Sequence, residues 1–336
     1  MIKKSYDIII IGASIAGLEA AKSFGNKNLK ILILDKSKEV GEKVCAHGVT
    51  INDIDFIPDN YLNFPYQRAL LHYKNKTISF PGKVGFVSSI DRKEFLESTL
   101  NSIKKYSNIE IFLDYFVQKI NKDYIIVNDK KIEYSYLIGA DGSNSIVRKY
   151  LNLPTKKIEF AIQYIVPRVY KEFELFLGDN RFGAGYAWIF PNKKFTSIGC
   201  GSDTDAVSPK KLKENFENWL KEKDLNIDNA KLEMSIINYD YRGYHFDNIY
   251  LIGDAAGLAS GFTGKGMYSA LASAIQVADE ILKVKKDTNL ILDWVDKKKA
   301  QEKIIPLLKI KVIRGIVYFL GLKILPKLEN RVLKYL

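Results

Sequence analysis

The stretch Val44-Cys45-Ala46-His47-Gly48-Val49 places a thiol and an imidazole two residues apart. The chain has 336 residues but only 2 cysteines and 3 histidines, so the pair stands out. It could be half of a metal site, a reactive thiol, or neither. A metal would need ligands from elsewhere, and the supply is thin. The other cysteine, Cys200, is remote, and there is no CxxC and no cluster with zinc or iron–sulfur spacing. No metal is expected, and two free thiols suit a reducing, cytoplasmic compartment.

Three glycine-bearing turns surround that pair with stronger signals. The segment "YDIIIIGASIAGLEAAKSF" reads as a buried strand, a tight turn and a helix from about Ile15. Gly12, Ser14 and Gly17 occupy the three positions of a GxGxxG fingerprint. Gly12 permits the turn, Gly17 lets helix and strand pack closely, and Ser14 is small with a hydroxyl that can reach phosphate. The helix start presents free N–H groups to a pyrophosphate. A second strand, "LKILILDKS", ends at Asp35, with Lys36 beside it, about where a carboxylate would bind ribose hydroxyls. Strand, turn, helix, strand and acid in register predict an adenine dinucleotide site.

Two later segments repeat the strand–turn–helix pattern. "YLIGADGSNSIVRKYL" ends its strand at Asp141-Gly142, and "NIYLIGDAAGLASGFTGKGMYSALASA" ends its strand at Gly253-Asp254. Asp254 at a strand end can bind the ribityl hydroxyls of a flavin. Gly264 and Gly266 let backbone approach an isoalloxazine. The helix that follows aims its positive end at the ring edge that carries the charge of reduced flavin.

Between these lie strand-like runs. "ALLHYKNKTISF" reads as a hairpin. Further runs fall at "KIEFAIQYIV", "YKEFELFLG", "GYAWIFP" and "FTSIGCG", and they would roof the nucleotide site as a sheet. "DAVSPKKLKENFENWLKEK" reads as an amphipathic helix capped by Ser208, with Pro209 first inside. In "GYAWIFP", Tyr186, Trp188 and Phe190 alternate, so all three face one side as a strand. Such a stripe is either plain core or a ligand wall.

The apolar content is 47% and the formal net charge +12, with lysines spread along the chain. The charge suits a solvated surface, or attraction to anionic lipid or an acidic partner. No aromatic-plus-basic nucleic-acid motif is present. No uninterrupted apolar run of about 18 residues occurs, so no spanning helix is expected. The N-terminal apolar run is read as the first strand and not as a signal peptide, because Asp7 interrupts it. The tail from 304 to 336 is basic and amphipathic and interrupted by Pro306 and Pro326, a pattern able to lie on an anionic membrane surface.

Together the fingerprint, "DRKEFLESTL" with Arg92, Asp141-Gly142 and Gly253-Asp254 resemble the FAD-binding oxidoreductases related to para-hydroxybenzoate hydroxylase, over roughly residues 1 to 285. The resemblance implies an α/β fold: a doubly wound Rossmann-like FAD domain (1–68, 90–155 and 240–285) interrupted by an antiparallel substrate sheet (69–89 and 156–239), with a C-terminal helical region (286–336). It also implies that Arg92 approaches the FAD and that the strand near Val117 touches the adenine. Within that group the chain resembles the geranylgeranyl reductases. "GYAWIFP" matches their YxWxFP motif, which assigns Tyr186, Trp188, Phe190 and Pro191 to the substrate. "KVCAHGV" matches their Lys-x-Cys-x-x-Gly segment. "GFTGKGM" resembles their "PLTGEGI" loop, with Gly261 in place of proline and Lys265 in place of the acid. The tryptophan-based motif of flavin-dependent halogenases is absent.

The resemblance implies reduction of isoprenoid double bonds. Saturating an isolated alkene needs a hydride and a proton, and the proton needs an acid in a dry pocket. A thiol of ordinary pKa about 8.5 stays protonated at neutral pH. Cys45 is therefore a candidate proton donor or relay, with His47 a second relay. The alternative for Cys45 is a small residue that shapes the pocket floor. An aromatic or quinone-ring monooxygenase of the same fold is the competing enzyme, and a prenyl-lipid carrier without redox work the competing non-enzyme. NAD(P)H and a ferredoxin both fit as electron donor. The expected partner is an isoprenoid lipid, with peripheral contact at the inner membrane face.

Overall fold

A computed structural model describes residues 2–50, 56–66, 68–81 and 87–324. Its centre is an eight-stranded sheet. Ser5–Ile11 lies in the middle, parallel to Ile31–Asp35 on one side and to Lys130–Gly139 on the other. Ile109–Leu113 and Ile249–Leu251 extend the parallel set outward. These strands are near-continuous isoleucine and leucine because both faces are covered, as parallel sheets require. Ile8, Ile9, Ile10 and Ile31 to Leu34 are fully buried. Lys130–Gly139 pairs antiparallel with Tyr124–Val127 at its start and parallel with Ser5–Ile11 along its length. This doubly wound α/β layer matches the expected fold class.

The runs read as a substrate sheet form one seven-stranded sheet. Its order is Lys231–Asn238, Ile158–Val166, Thr196–Asp203, Tyr186–Pro191, Phe173–Leu177, Arg68–Tyr73 and Lys76–Pro81. The hairpin 68–81 turns at Lys74-Asn75 as its sequence predicts and joins Phe173–Leu177 in parallel. A third, three-stranded sheet of Gly48–Thr50, Val87–Ile90 and Leu62–Tyr66 stands beside it.

The seven-stranded sheet has two different faces, because side chains alternate along a strand. One face carries Ile162, Ile189, Ile198 and Cys200 and is covered by helix Pro209–Glu222 through Leu212, Phe216 and Trp219. Ser208 caps that helix and Pro209 starts it. The other face carries Tyr186, Trp188, Phe190, Phe173 and Ala161. Trp219 is the largest fully buried side chain and meets Phe176, Phe182 and Phe216 ring to ring. Trp219→Ala is expected to cost about 3–5 kcal/mol through the lost burial and the void left behind, seen as a lowered urea midpoint with an unchanged slope.

Helices Leu290–Glu302, Ile305–Lys309 and Lys311–Ile324 follow. Pro306 stands in the first turn of the short helix, where its missing N–H costs nothing, so it starts a helix and does not break one. The chain bends instead at Ile310, which is extended. Pro326 and the last basic residues of the tail lie outside the described residues. Among the described residues, no helix is long and apolar enough to cross a membrane.

Candidate active site

A cavity of about 990 Å³ runs between the two large sheets. Its near end is the fingerprint turn. Gly12 has φ +110°, and a Cβ there would sit 2.3 Å from the carbonyl oxygen of Ala140. A Cβ on Gly17 would sit 1.8 Å from the carbonyl oxygen of Gly12. Gly17 therefore acts by packing and does not itself line the cavity, whereas Gly12 and Ser14 do. Asp35 closes the turn: its carboxylate accepts from the backbone N–H of Ala13 at 2.6 Å and of Ser37 at 2.8 Å. Lys36 stands exposed at the rim, and Val117 forms the buried wall opposite.

Arg92 is buried, and its bonds go to protein. One guanidinium nitrogen donates to Ser14 Oγ at 2.6 Å and the other to the carbonyl oxygen of Lys43. It lines the cavity while tying the fingerprint turn to the segment that carries Cys45.

Two helices point their first turns at this space, and both lack a side-chain cap. Ser14 precedes Ile15–Ser23, but its hydroxyl is taken by Arg92 and makes no cap bond. Gly266 precedes Met267–Ile281 and has no side chain to offer. The helices Arg92–Ile103, Pro209–Glu222 and Leu290–Glu302 are capped, by Asp91, Ser208 and Asn289. Open N–H groups at a helix start are the partners an anionic or carbonyl-rich ligand requires.

Asp141 caps Ile146–Tyr150 from the cavity wall, with Oδ2 accepting from Ile146 N at 2.6 Å. Its Oδ1 is buried without a partner, and burial pushes the carboxyl above the usual carboxylate range. Gly253 has φ +55°, and its N–H donates to Ser273 Oγ. Asp254 faces the cavity and accepts from Lys43 Nζ at 2.6 Å and Ser143 Oγ at 3.2 Å. Gly264, with φ +69°, and Gly266 complete the loop. Uncapped helix starts, an orphaned carboxyl oxygen and close-approach glycines fit an FAD. Ser14 and the Ile15 turn would hold its pyrophosphate, Asp35 its ribose, Asp254 its ribityl chain, and Gly264–Met267 its ring.

The far end of the cavity is apolar. Tyr186, Trp188 and Phe190 form its floor, with Phe173 stacked on Phe190 at 4.0 Å. Pro191, assigned to the substrate with them, is not among the lining residues. The two-residue period of the strand puts it on the opposite face. Gly199 opposite Trp188 leaves room for the indole, since a Cβ there would sit 2.4 Å from the ring. The polar edge of Trp188 is absorbed inside the wall. Its Nε1 donates to Ser197 Oγ, Ser197 donates to Gln163 Oε1, and Gln163 Nε2 donates to the carbonyl oxygen of Cys45.

Cys45 lines the cavity in irregular chain, half-buried. Its Sγ accepts the backbone N–H of His47 at 3.3 Å, and His47 lines the same cavity. His47 has φ +64°, and its Nδ1 lies 3.2 Å from the carbonyl oxygen of Ile90, an arrangement that puts the proton on Nδ1. Burial lowers its pKa, which favours the neutral ring.

Sequence reasoning passed over Lys43, Gln163 and Glu159. Lys43 was visible in the Lys-x-Cys segment. Glu159 and Gln163 were visible as polar residues on the face of their strand opposite Phe160 and Ile162. Only the sheet showed that this face meets the cavity.

Residues 126–298, slightly more than half of the chain, match the model of the FAD binding domain family. The chain is 28% identical to digeranylgeranylglycerophospholipid reductase 3 of Methanosphaera stadtmanae, over 81% of this chain and 76% of that protein. Its fold is shared with a geranylgeranyl bacteriochlorophyll reductase-like protein from Thermoplasma acidophilum (TM-score 0.73, 17% identity, 97% of this chain and 99% of that one). A flavin-dependent brominase is equally similar in fold (TM-score 0.73, 15% identity, 98% and 93% covered). Fold alone therefore does not select the reaction.

Proposed function

This chain belongs to the FAD binding domain family, and we propose that it reduces carbon–carbon double bonds in geranylgeranyl chains of lipids or prenyl diphosphates. The observation that carries the reading is one continuous cavity whose nucleotide end fits FAD and whose other end is an aromatic floor with its polar edges tied inside the wall. A prenyl chain offers no hydrogen bonds, so a site for it should be apolar and dry. The reductase relative supports the same reading.

FAD, when bound there in its reduced form, would supply the hydride. The chain's own residues do the rest. Lys43 and Asp254 close one side of the cavity as an ion pair, and Trp188 and Phe190 lie along the chain and exclude water. Cys45 Sγ holds the proton that the second carbon receives, and Gln163 fixes the backbone of Cys45 by its bond to the carbonyl.

Lipid reaches the cavity along helix Lys311–Ile324. Val317 and Tyr318 of that helix line the cavity, while Val312, Ile316, Phe319 and Leu320 are exposed on its other side. Lys311 adds positive charge beside this face. Such a face suits the surface of an anionic bilayer. Ile316→Asp with Leu320→Asp is expected to release the protein from anionic vesicles in co-sedimentation without loss of bound FAD.

The function is tested by reducing the flavoprotein with dithionite under anaerobic conditions and adding a geranylgeranyl glycerolipid. Reoxidation of the flavin, with product mass rising by two hydrogens per bond, is expected. No reoxidation by lipid, with fast reaction in air and hydroxylation of an added aromatic, would move the protein to the monooxygenases.

A further inference from the structure

Three carboxyls cluster where the Gly264 loop meets the seven-stranded sheet, and of them only Glu159 lines the cavity. Asp203 lies across from Glu159 on the neighbouring strand, and Glu302 comes from helix Leu290–Glu302. Asp203 accepts from the Tyr239 hydroxyl and from Lys309 Nζ at 3.1 Å. Glu302 pairs with Lys298 and accepts the backbone N–H of Gly261 at 3.0 Å. Two cations thus serve two of the three carboxylates. Glu159 has no hydrogen-bond partner among the described residues, and it lines the cavity. Its Oε2 is 3.8 Å from where a Cβ on Gly264 would lie, and the same point is 3.6 Å from the Tyr186 hydroxyl. That hydroxyl donates to the carbonyl oxygen of Thr263 and is already used.

We propose that Glu159 tunes the flavin: it stands as a neutral carboxylic acid beside the loop that fits the ring, and its ionisation makes the cofactor harder to reduce. This rests on FAD occupying the cavity and not on the identity of the substrate. Burial holds the Glu159 proton most strongly, and the nearby Asp203 and Glu302 add to it, against the opposing pull of Lys298; the carboxyl is pushed up to about 8. The other titratable groups that face it are Tyr186, Tyr239, Lys309 and the loop's Lys265. Reduction would place negative charge on the ring, and a second negative charge beside the loop that fits it would oppose this. Below about pH 8 Glu159 is neutral and imposes no such penalty. Above it the proton goes to solvent and the carboxylate remains.

The experiment is the flavin reduction potential of FAD-loaded wild type and Glu159→Gln, measured by dye equilibration from pH 6 to 10. The amide keeps the size and neutrality of the acid but cannot ionise. The two potentials are expected to coincide at pH 6 and to separate above about pH 8, with wild type the more negative. Parallel curves across the range would overturn the proposal. Melting temperature gives a second readout that needs no turnover. In the unfolded chain the carboxyl ionises near its ordinary value of 4.5, and in the folded protein near 8. Any stability that the protonated side chain contributes is therefore complete below pH 4.5 and is lost as pH rises toward 8. The variant's melting temperature should climb relative to wild type between pH 5 and 8 and then level. A constant gap would mean that Glu159 is ionised in the fold, and the proposal fails. Loss of lipid-driven reoxidation in wild type, with the potentials still separating, would overturn the reductase reading and leave this inference standing.

Discussion

Gly17→Ala is expected to yield a protein without yellow colour. The added Cβ would fall 1.8 Å from the carbonyl oxygen of Gly12. That atom is backbone inside the tight turn, so no side chain can swing aside. The helix Ile15–Ser23 must move off the sheet, against packing with Met267–Ile281 and Arg92–Ile103. Overpacking of this kind costs about 1–3 kcal/mol, and the displaced helix start loses its alignment with the pyrophosphate as well. At 1.4 kcal/mol per tenfold, a loss of that size in binding lowers FAD affinity by roughly 5- to 140-fold. Titration of the apoprotein with FAD, followed by flavin fluorescence, measures it. Wild-type affinity in the variant would mean that the dinucleotide does not lie on this turn. Lys36→Ala, at the exposed rim, should lose far less.

Cys45→Ala carries the second large effect. Removing a positioned general acid typically costs 10²- to 10⁴-fold in rate. Alkene-driven reoxidation of the reduced flavin should slow by roughly that factor, with FAD still bound, because the substitution leaves the Gln163 bond to the Cys45 carbonyl in place. Cys45→Ser keeps a small polar group but a poorer acid and should fall between. Stopped-flow absorbance under anaerobic conditions separates this step from flavin reduction. A full rate in Cys45→Ala would leave the thiol as a shaper of the pocket floor. The alanine variant should keep the pH separation of potentials ascribed to Glu159, since Glu159 and Gln163, which holds Cys45, are four residues apart on one extended strand, roughly 13 Å.

The aromatic stripe illustrates how far sequence reasoning reached. Alternation told that Tyr186, Trp188 and Phe190 share one face, and it equally told that Pro191 does not, although a motif match placed all four on the substrate. Periodicity could not say whether that face met a core or a cavity. The answer came from Gly199 and Gly201 on the adjoining strand, which leave the indole lying over bare backbone, and from helix Pro209–Glu222 covering the opposite side. His47 is the converse case. Its spacing from Cys45 suggested joint chemistry, and the fold puts both at the cavity while its left-handed backbone sets Nδ1 on the Ile90 carbonyl and the ring against Phe195.

By itself the sequence determined the nucleotide half of this protein. Glycine at a positive-φ turn, small residues where helix meets strand, and acids at strand ends are requirements of local geometry, so they are written within a few residues of where they act. The setting of the seven-stranded sheet and its electrostatics were decided only in three dimensions. Glu159, Asp203, Lys298, Glu302 and Lys309 span 150 positions of chain, and no local rule relates them. Which carboxyl is left without a cation depends on how the sheet, the Gly264 loop and the last helices pack together. A buried charge is governed by all its neighbours at once, and only the fold says who those neighbours are.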